Sequence, residues 1–98
     1  MKILIAEDEN ISRIVLEASL KKRGHEVAAF ENGLRAWKTF QKEYFPVIIS
    51  DWLMPEMDGL ALCREIRKLP RDNYTYLVLL TSLEGKTHMA QVADVPIL

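Results

Sequence analysis

The sequence predicts a doubly wound α/β domain, a parallel sheet with helices on both faces. Four short apolar runs recur along the 98 residues, and segments with helical periodicity separate them. Three of the runs are apolar throughout rather than alternating. A strand covered on both faces needs that continuous pattern, whereas a strand with one wet face alternates.

The elements follow in order. ILIA at 3–6 is the first strand, and Asn10 can cap a helix whose Ile11, Ile14, Val15 and Ala18 share a stripe expected to face the sheet. Lys21, Lys22 and Arg23 suit the negative end of that helix, and Gly24 stops it. VAAF at 27–30 is the second strand. Asn32 can cap a second helix that turns Ala36, Trp37, Phe40 and Tyr44 inward, with Pro46 beyond its end. VIIS at 47–50 is the third strand, Gly59 precedes a third helix carrying Leu62, Cys63, Ile66 and Leu69, and Pro70 closes it. YLVLL at 76–80 is the fourth strand. This alternation implies βαβ units with right-handed crossovers. The rhythm then breaks: LEGKTHMAQVADV has a weak helical pattern and PIL ends the sequence. A fifth strand and a last helix are therefore expected to be missing or incomplete.

Bulk properties narrow the function. A chain of this length makes one domain, 1–98, which buries roughly 60 to 70% of the surface its unfolded form exposes. Thirteen basic against fourteen acidic side chains leave a net charge of −1. That composition supplies no electrostatic footprint for nucleic acid or an anionic membrane. Cys63 has no partner for an internal disulfide, and the four apolar residues before Glu7 are too few for a signal peptide or membrane span. A cytoplasmic location is the expectation.

The acidic residues fall where open parallel sheets bind ligands, at the carboxyl ends of strands. Glu7 and Asp8 follow the first strand, Asp51 follows the third, and Thr81 and Ser82 follow the fourth. Each carboxylate taken singly reads first as a helix cap or a solvated loop charge, and it is their joint placement that points elsewhere. Together they form an oxygen-rich edge suited to a hard divalent cation such as Mg²⁺, since no Cys and His cluster exists for zinc. A metal there would offset phosphoryl charge, and an aspartate beside it could act as a nucleophile forming an aspartyl-phosphate. Glu9 is expected to be solvated, and Asp58 before Gly59 to be a turn residue or cap. Trp37 and Phe40 are expected in the core. Trp52 is either a packed loop aromatic or partly exposed over the site. His25 and His88 lack second ligands at metal spacing, and Cys63 lies on a buried stripe.

On these residues the sequence resembles the receiver domain of two-component response regulators, a flavodoxin-like fold. The resemblance runs from KILIAEDE at residue 2 through LTSLEGK ending at residue 86. It rests on the acidic pair, on D-x-x-M-P-x-x-x-G realised as Asp51, Met54, Pro55 and Gly59, and on Thr81 after the fourth strand. The resemblance implies that Asp51 accepts a phosphoryl group from the phosphohistidine of a sensor histidine kinase. It also implies that Glu7, Asp8, Asp51 and the main-chain carbonyl of Leu53 hold Mg²⁺, and that Thr81 hydrogen-bonds a phosphoryl oxygen. That bond would draw the following loop inward and shift the populations that partners recognise. Pro55 and Gly59 would shape the loop, with Gly59 offering a φ value other residues resist.

The sequence departs from receivers in one respect. They carry a lysine at the end of a fifth strand, before a proline, and an aromatic residue on that strand; here Pro96 is not preceded by Lys, and Lys86 is the nearest basic residue after Thr81. Losing such a charge-assisted contact removes on the order of 1.5 to 3 kcal/mol of interaction with the phosphorylated state. A degenerate receiver that acts as a dimerisation or interaction module without productive phosphorylation is therefore an alternative. A hydrolase resembling the haloacid dehalogenase family is a weaker one, because its general acid would stand at Leu53. A receiver is a phosphoacceptor rather than an enzyme with a separate substrate, although it catalyses its own phosphorylation and dephosphorylation. An incomplete fifth strand would leave the fourth-strand edge open, and such edges pair with other chains. Self-association through that edge, or exchange of the C-terminal segment between two chains, is expected, and light scattering at micromolar concentration checks it: a monomer counts against it.

Overall fold

A computed structural model describes residues 1–52, 54 and 56–80. Seven elements alternate: β1 (Lys2–Ala6), α1 (Asn10–Lys22), β2 (Glu26–Phe30), α2 (Gly33–Lys42), β3 (Val47–Asp51), α3 (Gly59–Lys68) and β4 (Tyr76–Leu80). All pairings are parallel and the strand order is β2-β1-β3-β4. The expected α/β class and all four strands are present. The segment expected to hold an incomplete fifth strand lies outside the described residues. No described helix is long and apolar enough to cross a membrane.

Chain order and handedness explain which helix covers which face. The first crossover leaves β1 for β2 on one side, and the second returns past β1 to β3 on the other. Right-handed crossovers in opposite directions put α1 on one face and α2 on the other. Strand alternation then divides the core. Leu4 and Ala6 of β1, with Ile48, Leu77 and Leu79, meet Ala36 and Phe40 of α2 and Leu62, Cys63 and Ile66 of α3. Ile3, Ile5 and Ile49 face the other way, against Leu16 and Leu20 of α1.

Two expectations about α1 are corrected. The stripe predicted to pack is exposed: Ile11 is 71%, Ile14 60% and Val15 58% accessible, and Ala18 is exposed too. The helix instead lays Leu16 and Leu20 on the sheet. At about 100° per residue, positions 14 and 18 lie about 200° from 16 and 20, so α1 has apolar side chains on opposite faces. Periodicity by itself does not choose between them. The cap is Glu9 rather than Asn10: its carboxylate accepts from the backbone N–H of Ile11 (2.8 Å) and Ser12 (3.0 Å) and from the Ser12 hydroxyl. Glu9 is solvated as expected, yet it has a structural task. Its signal was the serine three residues on, a reversed form of the usual capping box.

The other punctuation largely follows the sequence. At the end of α1, Gly24 takes φ 92° while its N–H donates to the Lys21 carbonyl and that of His25 to the Leu20 carbonyl, a Schellman turn. Asn32 caps α2 by accepting from the Arg35 N–H at 2.8 Å. That helix ends at Lys42, so Tyr44 is not on its inward stripe; its hydroxyl donates to the Tyr74 carbonyl, and Phe45 is the buried residue. Asp58 caps α3 by accepting from the Ala61 N–H at 2.8 Å.

Serine at Ile14 or Val15 should change stability by less than about 0.5 kcal/mol, as exposed positions do. Leu4→Ala should cost about 2 to 5 kcal/mol as a buried cavity. Glu9→Ala should lower stability measurably, and by less than Leu4→Ala, through its lost cap. Urea unfolding midpoints check the three against one another.

Candidate functional site

The parallel pairing of β1 with β3 sets Ala6 opposite Ser50, so the residues that follow, Glu7 and Asp51, emerge side by side at the carboxyl edge. The order reverses here, because β1 connects outward to β2 and its other neighbour is β3. A crevice at such a point is where open α/β sheets bind ligands. Glu7, Asp8 and Asp51 each bring one carboxylate oxygen to within 4.8 Å of the others. Glu7 is buried, Asp51 half-buried and Asp8 exposed.

Glu7 and Asp51 are each held at both main chain and carboxylate. The Glu7 N–H donates to the Phe30 carbonyl at 3.0 Å, the Arg13 guanidinium donates to the Glu7 carbonyl at 3.0 Å, and the Glu7 carboxylate accepts from the Glu9 N–H at 3.0 Å. Trp52 donates its N–H to Asp51 Oδ1 at 2.9 Å, and the Ser50 hydroxyl donates to the Asp51 carbonyl at 2.9 Å. The indole of Trp52 packs against the larger core, so the packed alternative for this residue holds.

Burial and the crowding of acidic groups at this edge raise the proton affinity of Glu7 and Asp51. Burial, followed by the charge and hydrogen bond of Asp51, pushes Glu7 up to about 7, against the lowering effect of the Glu9 N–H. Burial also raises Asp51, opposed by hydrogen bonds from Trp52 and Glu7 and reinforced by Asp8. The hydrogen bond between the two side chains acts in opposite senses, raising Glu7 and lowering Asp51. A bound cation would relieve the same repulsion. Ligand oxygens about 2.1 Å from a Mg²⁺ in octahedral geometry lie about 3 to 4 Å apart, a spacing that three converging carboxylates can reach. The donors are hard oxygens throughout. They fit Mg²⁺ and offer no soft ligand for zinc.

The structure thus brings together Glu7, Asp8 and Asp51. Leu53 and Thr81, like Pro55, Lys86 and His88, lie outside the described residues. One expected cause is corrected. Gly59 does not take a left-handed φ; among the described residues of this connection Glu56 does, at φ 72°. Gly59 is needed for a close approach, since a Cβ there would lie 2.2 Å from the Asp51 carbonyl oxygen. Its N–H donates to the Trp52 carbonyl at 2.8 Å. Arg13 and Glu9 were missed as supports for Glu7. Their contacts depend on how α1 starts over the strand end, and no local pattern announces that.

The family profile described as response regulator receiver domain matches residues 3–96. The response regulator receiver protein CpdR of Brucella abortus is 41% identical over 71 residues, which cover 72% of this chain and 59% of that protein. The chain therefore spans little more than half the length of that relative. A chemotaxis protein CheY homolog of Campylobacter jejuni is 33% identical over 91 residues, covering 91% of this chain and 70% of that protein. The solved structure of response regulator TrrA from Thermotoga maritima, in complex with Mg²⁺-BeF, superposes with a TM-score of 0.83 at 30% identity, covering 98% of this chain and 82% of that one.

In the absence of metal, the folded chain holds the Glu7 proton more tightly than the unfolded chain does, so the contribution of this group is present below about pH 4.5 and lost as pH rises through about 7. Asp51 shifts in the same direction. Thermal unfolding in a chelator should show a midpoint that falls between about pH 5 and pH 8, and excess Mg²⁺ should offset the fall, because metal and proton compete for the same oxygens.

Proposed function

This chain belongs to the response regulator receiver domain family, and on that premise we propose that it accepts a phosphoryl group onto Asp51 from the phosphohistidine of a sensor histidine kinase, in a Mg²⁺-dependent reaction. The observation that carries the reading is the convergence of Glu7, Asp8 and Asp51 within 4.8 Å at the reversal point of the sheet. Asp51 supplies the nucleophile. Its carboxylate attacks phosphorus, the phosphorus–nitrogen bond of the donor breaks, and the departing imidazole takes up a proton. The Trp52 N–H fixes one carboxylate oxygen and so orients the attack.

A Mg²⁺ held by Glu7, Asp8, Asp51 and the Leu53 carbonyl would offset the negative charge of the phosphoryl oxygens and of the nucleophile. Glu7 must give up its proton before it can serve as a ligand, which ties phosphorylation to pH through the same group. The complex of TrrA with Mg²⁺-BeF supports the assignment by likeness. Thr81 is proposed as the hydrogen-bond donor to a phosphoryl oxygen. The chain acts as a cytoplasmic phosphoacceptor module and catalyses only its own phosphorylation and dephosphorylation.

Incubation with Mg²⁺ and phosphoramidate should add one phosphoryl group to the intact mass, stable in acid and labile in base. Asp51→Asn should carry none, and a chelator should prevent the addition. An unmodified wild-type mass, under conditions that label another receiver, would instead favour the interaction-module reading.

A further inference from the structure

Gly33 has no local reason to be glycine. It is the first residue of α2, it has no left-handed φ, and glycine is a poorer helix former than alanine. The demand is tertiary. A Cβ on Gly33 would lie 1.9 Å from the Met57 carbonyl oxygen, 2.8 Å from its carbon and 3.1 Å from the Met57 Cβ. Two of those atoms are main chain and cannot rotate aside as the end of a side chain would.

Neither partner in this contact is free to withdraw. The first turn of α2 is held by the Asn32 cap, and Ala36 and Phe40 anchor the helix in the core shared with Leu62, Cys63 and Ile66 of α3. On the other side, Met57 is followed by Asp58, whose side chain caps α3, and by Gly59. Gly59 donates its N–H to the Trp52 carbonyl at 2.8 Å and closes so tightly on the Asp51 carbonyl that a Cβ would lie 2.2 Å from it. Main-chain contacts therefore run from α2 through Met57 and Gly59 to Asp51. Two glycines remote in sequence bracket the segment, one at each end.

We infer that Gly33 is a positioning residue for the carboxylate site. By letting the main chain of the first α2 turn reach the Met57 carbonyl, it sets where residues 57–59 lie and, through Gly59, where Asp51 stands relative to Glu7 and Asp8. The inference rests on the reading of those three carboxylates as a divalent-cation site. Gly33 touches neither metal nor phosphoryl group. An added methyl would push Met57 off α2, and the displacement would reach Asp51 because Gly59 has no slack against its carbonyl.

The test is calorimetric titration of the wild-type chain, Gly33→Ala, Met57→Gly and the double variant with Mg²⁺, alongside thermal unfolding of each in a chelator. Changes in groups that orient metal ligands cost about 10- to 100-fold in affinity, and Gly33→Ala should fall in that range. Met57→Gly keeps the carbonyl but gives residue 57 the backbone freedom to turn it away from the added methyl, so the double variant should recover part of the lost affinity, a non-additive coupling. Gly33→Ala that binds Mg²⁺ as the wild type does, even with a lowered unfolding midpoint, overturns the inference. So does a double variant whose losses simply add. If Gly33→Ala is too unstable to titrate, the double variant decides: recovered folding and Mg²⁺ binding support coupling through Met57, and recovery of neither overturns it. A wild-type chain that binds no Mg²⁺ overturns the cation-site reading itself, and this inference with it.

Discussion

The parallel pairing of β1 with β3 is the constraint on which the rest of the molecule depends. It places Ile3 to Ala6 beside Val47 to Ser50 in register, so both strands end together at one edge. Shifting this register by one residue would turn every side chain of one strand to the opposite face. Leu4 would leave the core it shares with Phe40 and Leu62, and Ile5 the one it shares with Leu20. The same shift would separate Glu7 from Asp51 along the strand direction. Core packing and site geometry are therefore specified by one set of backbone hydrogen bonds.

That arrangement creates an electrostatic problem and leaves it unsolved within the three residues. Three carboxylates converge in a half-buried edge, and the arginine nearest to Glu7 donates to its main-chain carbonyl rather than its carboxylate. The folded chain meets burial and repulsion together by raising the proton affinity of Glu7. Burying a like-charged cluster is costly unless something positive arrives, and the cost is carried by packing elsewhere. Such a cluster serves no purpose in stability. It is better understood as a site whose charge is completed by what it binds.

The supports around the cluster are mostly main chain. Glu7 is held through its N–H and carbonyl, Asp51 through the Trp52 N–H and the approach of Gly59, and Met57 by Gly33. Main-chain supports hold position with less play than long side chains, which suits ligands whose oxygens must meet a small cation within tenths of an ångström.

The sequence by itself determined the strands, the fold class and the members of the acidic cluster. Continuous apolar runs such as VIIS can be satisfied only by burial on both faces, and a residue that follows such a strand must surface at its end. Capping at Asn32 and Asp58 and the stop at Gly24 were equally legible, because the hydrogen bonds involved are local. Only the tertiary structure decided which apolar face of α1 packs, since Leu16 and Ile14 are equally hydrophobic in character and the choice depends on where the crossover sets the helix on the sheet. It also decided why Gly33 and Gly59 are glycines. Their reasons are carbonyl oxygens on segments distant in the chain, and no pattern of neighbouring residues encodes a contact that exists only after the helices have packed.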